Sequence, residues 1–74
     1  MTHERISIDP NVMFGKPVIK GTRIKVETIL RFLGKGTPVE ELLESWPGLT
    51  REDIQAAQLY AADLIPGAHH EAAE

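Results

Sequence analysis

The chain has no cysteine, which excludes disulfide bonds and thiolate metal sites and leaves no redox mark of a compartment. Aromatic residues are scarce, with one tryptophan, one tyrosine and two phenylalanines. No apolar run approaches the roughly 20 residues of a membrane-spanning helix, and Met1-Thr2-His3-Glu4-Arg5 leads into no signal-peptide core. A soluble, cytoplasmic chain with no membrane partner is the expectation. Histidines occur only as His3, His69 and His70, near the two ends, where nothing fixes them beside a nucleophile or a buried carboxylate. An enzyme, a metal site and a cofactor are therefore not expected.

What is present is a polarised charge. Residues 1–36 carry seven Lys/Arg against three Asp/Glu, a balance of +4, and residues 37–74 carry one against eight, a balance of −7. If the halves form different faces, one suits an anionic partner and the other a cationic one. The plainer reading is that the acidic half solvates helices. At 74 residues the chain is one domain of marginal core size, for which self-association into a homodimer or higher oligomer is a usual source of stability.

The positive charge concentrates in Gly15-Lys16-Pro17-Val18-Ile19-Lys20-Gly21-Thr22-Arg23-Ile24-Lys25-Val26. Val18 and Ile19 favour an extended backbone, Gly21 supplies a turn, and Ile24 resumes the apolar pattern, so the stretch reads as strand, turn, strand. Lys16, Lys20, Arg23 and Lys25 would then stand in water where a polyanion could meet them. Basic residues on a hairpin edge also serve simply to keep it soluble and unpaired. Upstream, Arg5-Ile6-Ser7-Ile8-Asp9 alternates as a half-buried strand does, Asp9-Pro10-Asn11 stops it, and Val12-Met13-Phe14 is expected to pack under the ribbon as core filler.

From Val26 the period changes. Val26, Ile29, Leu30 and Leu33 share one helical face, Gly34-Lys35-Gly36 ends that helix, and Phe32 falls off the stripe as a candidate partner-binding aromatic. Thr37-Pro38-Val39-Glu40 reads as a second helix start, with Thr37 as N-cap, Pro38 in the first turn and Glu40 closing a capping box. Val39, Leu42, Leu43 and Trp46 form its apolar face, and Pro47-Gly48 ends it. A third helix is predicted from Arg51 to Leu64, capped by Thr50 with Leu49 stapled to Ile54, and with Ile54, Ala57, Ala61 and Leu64 as its stripe. Residues 1–65 thus form one strand–ribbon–three-helix domain, and 66–74 are predicted to be a disordered tail.

The last two helices have helix-turn-helix spacing. In that arrangement the second helix offers its N-terminal residues to DNA bases, here Thr50, Arg51, Gln55 and Gln58. Glu52, Asp53 and Asp63 oppose a phosphate backbone, so the basic ribbon would have to do most of the holding. Three helices are equally a common way to make a small core without any DNA role. The acid pairs Glu40-Glu41 and Glu52-Asp53 suit first helical turns better than acid–base chemistry. Gly15-Lys16 is followed by Pro17, so it is not a phosphate loop, and His69-His70 on a tail fix no metal geometry.

Ile6-Ser7-Ile8-Asp9-Pro10, Gly15-Lys16-Pro17-Val18-Ile19-Lys20-Gly21-Thr22-Arg23-Ile24 and Trp46-Pro47-Gly48-Leu49-Thr50-Arg51-Glu52-Asp53-Ile54 together resemble the small prokaryotic domain-of-unknown-function family numbered 433. The likeness runs from about Arg5 to Ala62, with one departure: that family often has a second glycine where this chain has Phe14. The resemblance implies a mainly α, homeodomain-like three-helix bundle preceded by a short β-strand and small β-ribbon. It further implies a VapB-like antitoxin of a type II toxin–antitoxin pair, with a PIN-like nuclease toxin as partner and its own operator DNA as a second ligand. The ribbon and third helix would face DNA, while Glu40, Glu44 and Asp63, with Phe32, would face the toxin. The alternative is a homodimeric protein-interaction module without DNA binding.

Overall fold

The computed structural model describes residues 3–67. Strand β1 (Ile6–Ser7) pairs antiparallel with β2 (Val18–Ile19), Ile6 lying opposite Ile19 and Ser7 opposite Val18. Helices α1 (Val26–Gly34), α2 (Val39–Ser45) and α3 (Arg51–Asp63) follow. This is the mainly α, three-helix order that the sequence predicts, preceded by a small sheet. Among the described residues no helix is long and apolar enough to cross a membrane.

The first strand is shorter than the alternation of Arg5–Asp9 suggests because Asp9 is already committed to a turn. Its Oδ1 accepts a hydrogen bond from the Asn11 amide at 2.8 Å, and its carbonyl accepts one from the Val12 amide at 2.9 Å. The ribbon closes as expected on Gly21, at φ +81°, but its second arm is a single bridge, Val18 opposite Lys25. Thr22 holds the turn, its hydroxyl donating to the Ile19 carbonyl at 2.7 Å and accepting from the Ile24 amide at 3.0 Å.

Val12-Met13-Phe14 departs from expectation. Met13, Phe14 and Gly15 take φ of +49°, +60° and +80°, a tight left-handed turn. Bonds from the Gly15 amide to the Val12 carbonyl and from the Lys16 amide to the Met13 carbonyl, each 3.1 Å, close it. The reversed backbone swings Phe14 outward, 94% exposed, so this aromatic is not core filler.

α1 buries Val26 and Ile29 and ends in a Schellman arrangement. Gly36, at φ +92°, donates to the Leu33 carbonyl, and the Thr37 amide donates to the Phe32 carbonyl, both at 3.0 Å. That bond draws Thr37 into the end of α1, and α2 starts one residue later than its sequence suggests. Pro38 takes the cap position with no side-chain bond, its carbonyl accepting from the Glu41 and Leu42 amides, so the Thr37–Glu40 capping box does not form. α3 does carry its cap. Thr50 Oγ1 accepts from the Asp53 amide at 3.1 Å, while Asp53 Oδ2 accepts from the Thr50 amide at 3.0 Å.

Ile19, Val26, Ile29, Leu42, Leu49, Ile54 and Ala57 form the buried core, with Ile6, Ile24, Leu33, Trp46 and Tyr60 among the side chains packed around it. α1 packs against both other helices, and α3 also lies against β1. Leu64, expected on the α3 stripe, sits in the turn behind the helix end and is exposed. The predicted tail falls, from residue 68 onward, outside the described residues.

Candidate functional site

The residues that sequence reasoning assigned to DNA do not form one uniform surface. Lys20 and Arg23 stand exposed around the Gly21 turn, and Arg23 borders a shallow concavity with Ser7, Asp9, Val12, Val18 and Thr22. Lys25, half-buried, is the last residue before α1. Lys16 is engaged: its Nζ lies 3.1 Å from Glu27 Oε1. That hydrogen bond, reinforced by the ammonium charge, holds the Glu27 carboxyl below its ordinary value, with Lys25 and Arg31 adding smaller contributions.

At the start of α3 the four named residues have unequal freedom. The Thr50 hydroxyl is spent on the cap. Arg51 NH2 lies 2.8 Å from Glu40 Oε2, and this bond lowers the Glu40 carboxyl below its ordinary range, helped by the Glu40 backbone amide. Arg51 and Glu40, assigned from sequence to opposite surfaces, are therefore partners. Gln55 and Gln58 remain exposed on α3, as do Glu52 beside them and Glu44 on α2.

Asp53 is the buried charged residue, 5% exposed. Beyond its cap it accepts from Arg5 NH1 at 3.1 Å through Oδ1, so one carboxylate starts α3 and fastens the chain preceding β1 to it. Asp63, assigned to a partner, is met instead by His3, Nε2 to Oδ2 at 3.0 Å, with the His3 ring edge-on to Tyr60 at 5.2 Å. Phe32 is 38% exposed; its ring packs edge-on to Trp46 at 5.6 Å, and Lys35 Nζ lies over it at 5.7 Å from the centroid.

Two cations not singled out from the sequence, Arg31 in the last turn of α1 and Lys35 at its C-terminal cap, flank Phe32. The available signal was their spacing from Thr28, three and seven positions on, opposite the apolar stripe of α1. Among the described residues no group of three His, Cys, Asp or Glu side chains is placed to hold a metal ion.

An uncharacterized protein, y4eO, of Sinorhizobium fredii is 38% identical over 58 residues, 78% of this chain and 26% of that protein. An uncharacterized protein of Archaeoglobus fulgidus is 61% identical over 28 residues, 38% of this chain and 78% of that one. The crystal structure of a DUF433 member from Anabaena variabilis superposes with a TM-score of 0.76 at 42% identity, covering 80% of this chain and 58% of that one. The chain thus spans about a quarter of the Sinorhizobium relative, 26%, and little more than half of the Anabaena chain, 58%. The sequence profile of the family described as "Protein of unknown function (DUF433)" matches residues 6–61, and the chain belongs to that family.

Proposed function

We propose that this chain is a non-catalytic regulatory protein, the antitoxin of a VapBC-like type II pair, which holds a PIN-like nuclease through its acidic helices and contacts operator DNA through its basic half. The observation that carries the reading is how ion pairing leaves the charges. Among the described residues, Lys20, Arg23, Lys25, Arg31 and Lys35 have no carboxylate within salt-bridge distance, and all precede α2. The exposed acids without such a partner on the helices are Glu41, Glu44 and Glu52, on α2 and the first turn of α3. Ion pairing takes up Arg51, the single cation of residues 37–74, and Glu27, one of the three acids of residues 1–36, while Glu4 and Asp9 stay outside it. The charge left unpaired is mainly positive before α2 and negative on α2 and the start of α3, which supports a protein with one cationic and one anionic partner.

Glu44 is the α2 carboxylate of the proposed partner set that no internal bond engages. The test is co-expression with the product of the adjacent gene, followed by pull-down and an RNA-cleavage assay. A stable complex in which cleavage is silenced is the expected result; a neighbour that neither binds nor cleaves RNA overturns the reading. Self-association is favoured by a separate observation, the exposed Leu59, Leu64 and Ile65 at the C-terminal end of α3. Sedimentation of the wild type and Leu59→Arg measures it: a dimer that the variant dissolves supports this surface, and a monomer at every concentration refutes it.

A further inference from the structure

α1 turns Val26 and Ile29 into the core, with Leu30 and Leu33 half-buried beside them. At 3.6 residues per turn, the opposite arc carries Thr28, Arg31, Phe32 and Lys35, with Lys25 leading into it. Arg23, Ile24, Lys25 and Thr28 line one shallow concavity together with Trp46, and Trp46 in turn meets Phe32 at 5.6 Å. The fold therefore joins the arm of the ribbon, the outer face of α1 and the end of α2 into one strip. Its cations are Arg23, Lys25, Arg31 and Lys35, and among the described residues none pairs with a carboxylate. The one acid on α1, Glu27, flanks the strip and is bonded to Lys16 at 3.1 Å.

We propose that this strip is a docking surface for the phosphate backbone of duplex DNA. The inference rests on the DNA-contacting half of the reading above and places that contact on α1 instead of the N-terminus of α3. Charge complementarity decides between the two. α3 begins with Arg51 bonded to Glu40, followed by the exposed Glu52, and Asp53 beside them is buried and bonded to Arg5. Phosphates approaching the helix start therefore meet the carboxylates of Glu40 and Glu52 and a cation already engaged. The α1 strip is positive along its length, and from Lys25 to Lys35 it rises about 15 Å at about 1.5 Å per residue. That is the axial length of roughly four phosphates of one strand at about 3.4 Å each. The Phe32–Trp46 pair between the cations gives an apolar surface for the sugar faces, and Lys35, seated over the Phe32 ring, is held in place for a phosphate.

The test is fluorescence anisotropy with a labelled random-sequence DNA duplex of about 20 base pairs, titrated from about 50 to 200 mM salt. Four phosphate contacts give a slope of log K against log salt of about −3.6, a loss of roughly two orders of magnitude in affinity over that range. Arg31→Glu with Lys35→Glu is expected to abolish binding, and both positions are exposed, so circular dichroism should show unchanged helix. Lys35→Ala alone should bring the slope about 0.9 closer to zero. Gln55→Ala with Gln58→Ala should alter affinity less than about twofold, as neither residue belongs to the strip.

The inference is overturned if the double charge reversal binds like the wild type, if the glutamine variant is the one that loses binding, or if the same sequence as a single strand binds more tightly than the duplex. It is also overturned if the wild type binds no duplex. A nuclease complex that still forms in that last case leaves the toxin-partner half standing, so the two failures are told apart.

Discussion

Replacing Phe14 by glycine is expected to make the protein more stable, although it deletes one of the few aromatic rings. Phe14 holds φ +60° and ψ +30°, a left-handed conformation that costs an L-residue about 1–2 kcal/mol and glycine nothing comparable. Its ring is 94% exposed, so against the roughly 1.5–3 kcal/mol of a fully buried side chain the burial forfeited is only about 0.1–0.2 kcal/mol. Glycine adds about 0.5–1 kcal/mol of backbone entropy to be lost on folding. The difference is a gain of about 0.5 kcal/mol, or a rise in Tm of about 2–4 °C for a domain of this size.

Urea unfolding of wild type and Phe14→Gly, at two protein concentrations, measures this with an unchanged m-value. Phe14→Ala serves as control, because it removes the ring but keeps the strain and should be close to neutral. A loss of more than about 0.5 kcal/mol in the glycine variant at both concentrations would refute the reasoning, since exposure and positive φ leave no physical source for it. A loss seen only at the higher concentration would mean instead that a second copy covers the ring.

Three further substitutions probe the fold that carries the site. Asp53→Ala removes the capping box of α3 and the partner of Arg5 together, and should cost about 1–3 kcal/mol in chemical denaturation, more than Thr50→Ala at about 1 kcal/mol. Ile29→Ala, at a fully buried position, should cost about 2–5 kcal/mol and leave a large unfolded fraction by circular dichroism at 37 °C. Arg51→Ala should raise the Glu40 carboxyl toward its ordinary value of 4.5, read by NMR titration, because the Arg51 hydrogen bond is the first cause of its lowering, while the Glu40 backbone amide keeps part of it. The sign follows from linkage: a carboxyl lowered in the folded state favours folding above its unfolded value, and that contribution fades as pH falls from about 4.5 through the folded value. The variant should therefore show slightly less loss of stability on acidification over that window.

The features legible in the sequence were those set by local spacing. The apolar period of Val26, Ile29, Leu30 and Leu33, the Gly21 turn and the Thr50 cap each depend on residues within one or two turns of chain, and each stands where its pattern put it. Features that depend on competition were not legible. Thr37 is as good a cap residue as Thr50, but its amide is drawn into the Schellman end of α1, which moves the start of α2 by one residue. Phe14 reads as core because it is large and apolar, and three successive left-handed residues leave no mark on hydrophobic pattern. For the site, the exposed Lys20 and Arg23 of the ribbon were legible from the strand–turn–strand pattern that sets them between apolar residues. The ion pairs of the ribbon's Lys16 with Glu27 and of Arg51 on α3 with Glu40 each span 11 residues, beyond the reach of any helical or strand period.

The contacts of His3 and Arg5 have a consequence for how the domain is wired. Arg5 is fastened to Asp53 in the first turn of α3 and His3 to Asp63 in its last residue, so the incoming chain is tied to both ends of that one helix. The point where polypeptide enters the fold is then beside the point where it leaves. A domain with adjacent entry and exit can be inserted into a longer chain through a single corner. It also tolerates being reopened elsewhere. A circular permutant of residues 3–67, closed by a glycine linker and cut at the exposed Lys20-Gly21 turn, should show the same helix content by circular dichroism.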